Sequence, residues 1–201
     1  EYKEISFPNI IHPPTKDDLL NAIDENTAAF YYAASGWVAQ GYLPLDEVIE
    51  ICREKKVPVI VDAAAQLPPV DNLWKYTRLG ADAVLFSGGK DLKGPQASGL
   101  MVGKKSLLDI VTSIGFPNYG IGRMMKVGRE ELVGIYSAVK QYVEMDHGAR
   151  YDWCEKQINI LKDAFEGSKV INITRSFPNE AGQPIARAFV EVTAEGRTGE
   201  E

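Results

Sequence analysis

Apolar positions along this chain fall into two rhythms. Ala28–Ser35 (AAFYYAAS), Val57–Val61 (VPVIV), Ala81–Phe86 (ADAVLF) and Gly99–Val102 are short apolar runs and read as strands. Between and before them, Leu45–Lys55, Asp71–Leu79 and Lys16–Ala22 read as helices, the last introduced by Thr15 as a cap ahead of Asp17 and Asp18. The order strand, helix, strand from Val57 to Phe86 makes a β-α-β unit. Continuous apolar strands joined by a helix imply a parallel sheet covered on both faces. Such sheets take ligands outside the carboxyl ends of their strands.

Downstream, Lys104–Ile114 reads as a helix, and Leu132, Tyr136, Val139 and Val143 recur at helical spacing from Arg129 onward. Trp153, Ile158, Leu161 and Phe165 carry a second helical pattern, followed by strands at Lys169–Thr174 and Ala186–Val192. The expected organisation is therefore an α/β part over residues 1–146 and a partial, smaller α+β domain over residues 147–201. The boundary is expected within Asp146–Arg150, around His147 and Gly148.

The chemistry sits at the edge this architecture predicts. Asp62 closes the apolar run in VPVIVDAAAQ, and Lys90 follows 28 residues later in VLFSGGKDLKGP. An acid and a lysine at two strand ends are the pair needed to hold pyridoxal phosphate, the lysine as a Schiff base and the acid on the pyridine nitrogen. Alone, a strand-end aspartate is commonly a turn or capping residue, and a glycine-flanked lysine a solvated one. Together they favour the cofactor reading. Pro58, Pro68 and Pro69 punctuate the unit without adding chemistry.

The string FSGGKDLKGPQASGLMVGKKSL, with VPVIVDAAAQLPPV before it and GIGRMMKVGREELVGI after it, resembles the fold-type I pyridoxal-phosphate enzymes related to bacterial selenocysteine synthase. Within that group it looks most like the branch containing D-glucosaminate-6-phosphate ammonia-lyase. The resemblance spans roughly Ser35 to Val143. It implies that residues 1–146 are the C-terminal part of a cofactor-binding large domain with a mostly parallel sheet. It also implies a Schiff-base role for Lys90, a pyridinium contact for Asp62, and a phosphate contact for Ser87, which is otherwise a turn cap. Ala64 is small enough to lie against the ring. Gln66 reaches the phenolic oxygen or caps a turn, and Ser35 lies beside the same oxygen or is a polar strand-end residue. Arg123, in the glycine-rich stretch Pro117–Gly122 that precedes it, meets an anionic substrate group or is a solvated charge at a helix entry.

The implied reaction is α-proton abstraction and β-elimination on a small anionic amino acid. A seleniumtransferase-like transferase on aminoacyl-tRNA and a non-catalytic relative are the alternatives. With 28 acidic against 22 basic residues the net charge is −6, so the chain lacks the basic footprint expected of a tRNA partner. The 201 residues, 45% apolar and without an initiator methionine, suggest part of a longer enzyme; the phosphate loop and a ring-stacking group are expected from an N-terminal half. Cys52 and Cys154 form no CxxC pair and read as packed thiols, and His12 and His147 are too far apart to suggest a metal site. No run of about 18 apolar residues appears, so the cytoplasm is the expected compartment. Trp37, Tyr42, Trp74, Phe116 and Tyr119, apolar groups in loops, point to a homodimer or higher oligomer.

Overall fold

The computed structural model describes residues 13–36 and 41–193; the readings placed on His12, Trp37 and the polar tail beyond Thr193 lie outside them. Contacts divide the chain into two units, residues 1–143 and 144–201. The first contains α1 (Lys16–Ala22), β1 (Phe30–Ala33), α2 (Leu45–Glu54), β2 (Val59–Asp62), α3 (Asn72–Leu79), β3 (Ala83–Ser87), β4 (Gly99–Gly103), α4 (Lys105–Ile114) and nearly all of α5 (Arg129–Glu144).

Local chemistry sets these boundaries. At the start of α1 the Thr15 hydroxyl accepts from the Asp18 amide at 3.2 Å, and the Asp18 carboxylate accepts from the Thr15 amide at 2.8 Å, a reciprocal cap for two otherwise unpaired donors. Helix α2 places Asp46 and Glu47 in its first turn and Arg53 in its last, each sign at the end of the helix dipole that favours it. Helix α3 stops at Gly80, whose φ of 116° is left-handed backbone that a side chain would resist.

The four strands form one sheet in the order β1-β2-β3-β4, parallel except for the β3–β4 pair. Ala33 lies opposite Asp62, Asp62 opposite Leu85, and Ser87 opposite Gly99. Val59, Val61, Val84 and Phe86 are buried in one core with Leu19, Val48, Ile49, Cys52, Leu73 and Tyr76. Burying one such aliphatic or aromatic side chain is worth roughly 1.5–3 kcal/mol. A one-residue slip would turn this whole row out of the core, so the register is fixed. The alternate positions Tyr31, Ile60, Asp62, Leu85 and Ser87 share the other face and are half-buried or exposed. Ala83, on that same face opposite Ile60, is fully buried.

At the amino edge Asp82 acts as a clamp. Its carboxylate accepts from the Val59 amide at 2.8 Å and pairs with Lys104 Nζ at 2.6 Å, linking the start of β2 to the end of β4 through β3. Helix α5 forms where the periodicity predicts it, but with a different face inward. It buries Ile135, Ala138 and Tyr142, while Leu132, Tyr136 and Val143 of the predicting stripe are exposed. Both stripes are apolar, and the buried one includes the small residues that a neighbouring loop can approach.

The second unit packs α6 (His147–Ala164) on an antiparallel pair, β5 (Ile171–Ser176) and β6 (Arg187–Val192). Asp146 caps α6, accepting from the Ala149 amide at 2.9 Å. The Arg175 guanidinium grips Glu155 with Nε at 2.8 Å and Nη2 at 2.5 Å, the two-pronged geometry that suits Arg and carboxylate. Cys52 is buried, Cys154 is half-buried, and neither is in a disulfide. No helix among the described residues is long and apolar enough to cross a membrane.

Candidate functional site

Strands β2 and β3 run side by side and in parallel, so Asp62, the last residue of β2, and the turn after Ser87 emerge at the same edge. Lys90 lies in that turn. Because Asp62 pairs with Leu85, and Leu85 and Ser87 alternate to the same side, the Asp62 and Ser87 side chains share one sheet face.

The Asp62 carboxylate is half-buried and oriented by two donors. Tyr31 on β1 donates its hydroxyl to Oδ2 at 2.5 Å, and the Ala64 amide donates to Oδ1 at 2.9 Å. The bond to Asp62, with a smaller contribution from burial, pushes the Tyr31 hydroxyl up to about 12. Tyr31 drew no notice in the sequence. The signal available there was weak: it stands two residues before the position opposite Asp62, on the same face, within the diagonal reach of an aromatic side chain.

After Asp62 the chain turns. The Gln66 amide donates to the Ala63 carbonyl at 2.9 Å, and the Gln66 carbonyl accepts from the Asn72 side chain at 2.6 Å, anchoring the turn to α3. The Gln66 side-chain nitrogen is buried without a hydrogen-bond partner. A buried amide donor left unmade costs free energy, so this atom is suited to an acceptor that the chain does not itself supply. Ala64 is half-buried beside it. Ser35 follows β1, one residue after the Ala34 amide bonds the Asp62 carbonyl at 2.9 Å, and is also half-buried.

The Lys90 turn is tightly strapped. The Gly88 amide donates to the Ser98 carbonyl at 2.9 Å, Gly94 to the Gly88 carbonyl at 2.8 Å, and Lys93 to the Lys90 carbonyl at 2.9 Å. A Cβ on Gly88 would sit 2.8 Å from both the Ser98 carbonyl oxygen and Ile135 Cδ1, and one on Gly89 would sit 2.7 Å from Gln96 Cα. Two glycines are therefore a packing requirement. Tyr142, buried on α5, donates to Asp91 at 2.6 Å, tying the turn to that helix. Lys90 itself is exposed, and its amine has no partner among the described residues.

Arg123 stands apart from this cluster in the sequence, in the short 3-10 turn Arg123–Met125 after α4. Its guanidinium lies 4.3 Å from the Tyr119 ring centroid and 5.4 Å from that of Phe116, and it donates to the carbonyls of Pro117 and Asn118. The side chain is folded onto its own loop, which a bridge between Gly115 and Gly122 closes at the base. No group of three or more potential metal-ligating side chains occurs among the described residues.

Comparison with known proteins gives a consistent picture. Residues 12–134 match the family model described as aminotransferase class-V. The chain is 35% identical to the D-glucosaminate-6-phosphate ammonia lyase of Salmonella typhimurium and 33% identical to a 5'-C-glycyluridine monooxygenase-decarboxylase of a Streptomyces species. These matches cover 90% and 94% of this chain and 46% of each relative. An L-seryl-tRNA(Sec) selenium transferase of Actinobacillus pleuropneumoniae is 31% identical over 63% of the chain and 29% of the relative. A solved structure of D-glucosaminate-6-phosphate ammonia-lyase superposes with a TM-score of 0.73 at 30% identity, over 90% of this chain and 46% of that one. The chain thus spans about half the length of the first two relatives.

Proposed function

Because the chain belongs to the aminotransferase class-V family of pyridoxal-phosphate enzymes, we propose that it forms the lysine-bearing part of such an enzyme, a carbon–nitrogen lyase acting on a small anionic amino acid. The observation that carries this reading is the pairing at one sheet edge of a doubly bonded, half-buried carboxylate, Asp62, with the strapped turn that presents the free amine of Lys90.

The donor set fits the cofactor. Lys90 would hold it covalently, Asp62 would hold the ring nitrogen, and Ala64 is small enough to admit the flat ring. The unpaired Gln66 nitrogen suits the phenolic oxygen, as does Ser35 in the loop after β1, and Ser87 offers a hydroxyl to the phosphate. When bound, the cofactor supplies an electron sink for a bond broken at the substrate α-carbon. The residues do the rest. Lys90 Nζ, once free, would take the substrate α-proton, and Asp62 would keep a proton on the ring nitrogen through a charge-assisted bond. The β-hydroxyl would leave as water on taking up a proton, and hydrolysis of the released enamine would give a 2-oxo acid and ammonia.

Arg123 supplies the anion contact in this reading. Helix α4 starts at the amino edge, beside the end of β4; its ten residues span about 15 Å at 1.5 Å per residue, the length of the strand. That is enough to bring the Arg123 loop back toward the Lys90 edge, where the guanidinium would exchange its own loop carbonyls for a carboxylate or phosphate. The 28 acidic against 22 basic residues weigh against a tRNA substrate. Two free cysteines fit a reducing cytoplasm.

The test is release of ammonia and 2-oxo acid by the full-length protein with D-glucosaminate 6-phosphate and with unphosphorylated β-hydroxy amino acids. Ammonia from the phosphorylated substrate with little from the others is expected. Decarboxylation or transamination without ammonia would replace the lyase assignment.

A further inference from the structure

Tyr31 has no part in the reaction described above, yet it gives Asp62 its shorter hydrogen bond. The residue is 60% exposed, so core packing does not explain it. Parallel register sets Ala33 against Asp62 and leaves Tyr31 two residues back on the same face, from where the hydroxyl reaches Oδ2 at 2.5 Å. The Ala64 amide occupies the other oxygen at 2.9 Å.

We propose that Tyr31 is the positioning residue of Asp62: with the Ala64 amide it fixes the plane of the carboxylate and leaves an acceptor site free for the ring nitrogen. The inference rests on the assignment of Asp62 to that nitrogen. A carboxylate has about four lone-pair sites, so two donors from the chain leave room for a third. The hydroxyl keeps its proton far above neutral pH, since the bond to Asp62 pushes it up to about 12, and it remains a donor throughout the working range. With phenylalanine at this position only one backbone donor would hold the carboxylate. The other oxygen would turn to water, and the contact with the ring would lose its direction.

The experiment compares full-length parent, Tyr31→Phe, Asp62→Asn and the double variant. Tyr31→Phe is expected to lower kcat about tenfold with KM unchanged, the scale of losing one hydrogen bond to a charged group, and to weaken cofactor affinity several-fold. Because Tyr31 acts through Asp62, the double variant should be no slower than Asp62→Asn alone. In cofactor-free protein, carbon-labelled tyrosine NMR should show the Tyr31 titration falling toward the ordinary 10.0 in Asp62→Asn. A Tyr31→Phe enzyme within about twofold of parent in kcat and cofactor affinity, or kcat losses that multiply in the double variant, would overturn the proposal. If the parent protein carries no cofactor, the functional reading fails separately and the NMR titration decides alone: an unchanged Tyr31 in Asp62→Asn then rules the pairing out.

Discussion

Asp62 is held by donors on both oxygens, and that geometry carries a kinetic consequence. In Asp62→Asn the amide cannot keep the ring nitrogen protonated, so cofactor occupancy should persist while kcat falls by about a hundredfold or more, the scale on which positioned proton-holding groups act. Occupancy by absorbance and kcat by ammonia release check this separately. A second prediction concerns alkaline pH. Burial raises the Cys52 thiol from 9.0 to about 11 and the Tyr76 hydroxyl from 10.0 to about 12. Each folded-state value lies above the unfolded one, so the stabilisation is complete below pH 9 and is lost as pH rises through 11 and 12. The thermal midpoint should therefore fall steadily above pH 9, less steeply in Cys52→Ala. Asp62 and Lys90 were legible in the sequence because their flanks, an apolar strand and a glycine turn, announce an edge. Tyr31 was not, since its partner is 31 residues away on another strand and only the register joins them. Nor could spacing reveal that Arg123 folds onto its own aromatic neighbours.

Among the elements, the helices and strands were readable because period and punctuation agree. What the pattern could not supply was partnership. Helix α5 shows this best: one apolar stripe announced the helix, and the other, with Gly134, Ile135, Ala138 and Tyr142, packs on the lysine turn. A Cβ on Gly134 would sit 2.5 Å from Pro95 Cγ. Gly134→Val should push α5 off the turn, costing about 1–3 kcal/mol and loosening cofactor retention; denaturant unfolding and dialysis against cofactor-free buffer measure the two effects. Thr15→Ala removes one half of the α1 cap and should cost about 1 kcal/mol in the same unfolding assay, with the cofactor undisturbed. The antiparallel β4 follows from a short link that no periodicity encodes: the chain must turn back at Gly99 once the Lys90 loop has been strapped to Ser98.

For the whole molecule, the surface is as telling as the core. Tyr119 is 93% exposed, and Ile121, Met124 and Met125, close to it in the chain, are exposed as well, more large apolar side chains in one short stretch than a stable monomer usually leaves bare. A second copy of the chain is the proposed cover, so Ile121→Asp with Met124→Asp should shift the full-length protein toward monomer in sedimentation and reduce its activity; an unchanged oligomer would assign the patch elsewhere. The Asp62 and Lys90 flanks indicated a cofactor enzyme, with which the family match agrees, while the net charge of −6 bore only on the tRNA alternative. The central claim is that one lysine, Lys90, holds the cofactor at the edge where Asp62 waits. Borohydride reduction of the full-length protein loaded with pyridoxal phosphate, followed by peptide mapping, tests it directly. The pyridoxyl group is expected on Lys90 and absent from the Lys90→Ala protein; finding it on Lys93 or Lys104, or nowhere, would contradict the account.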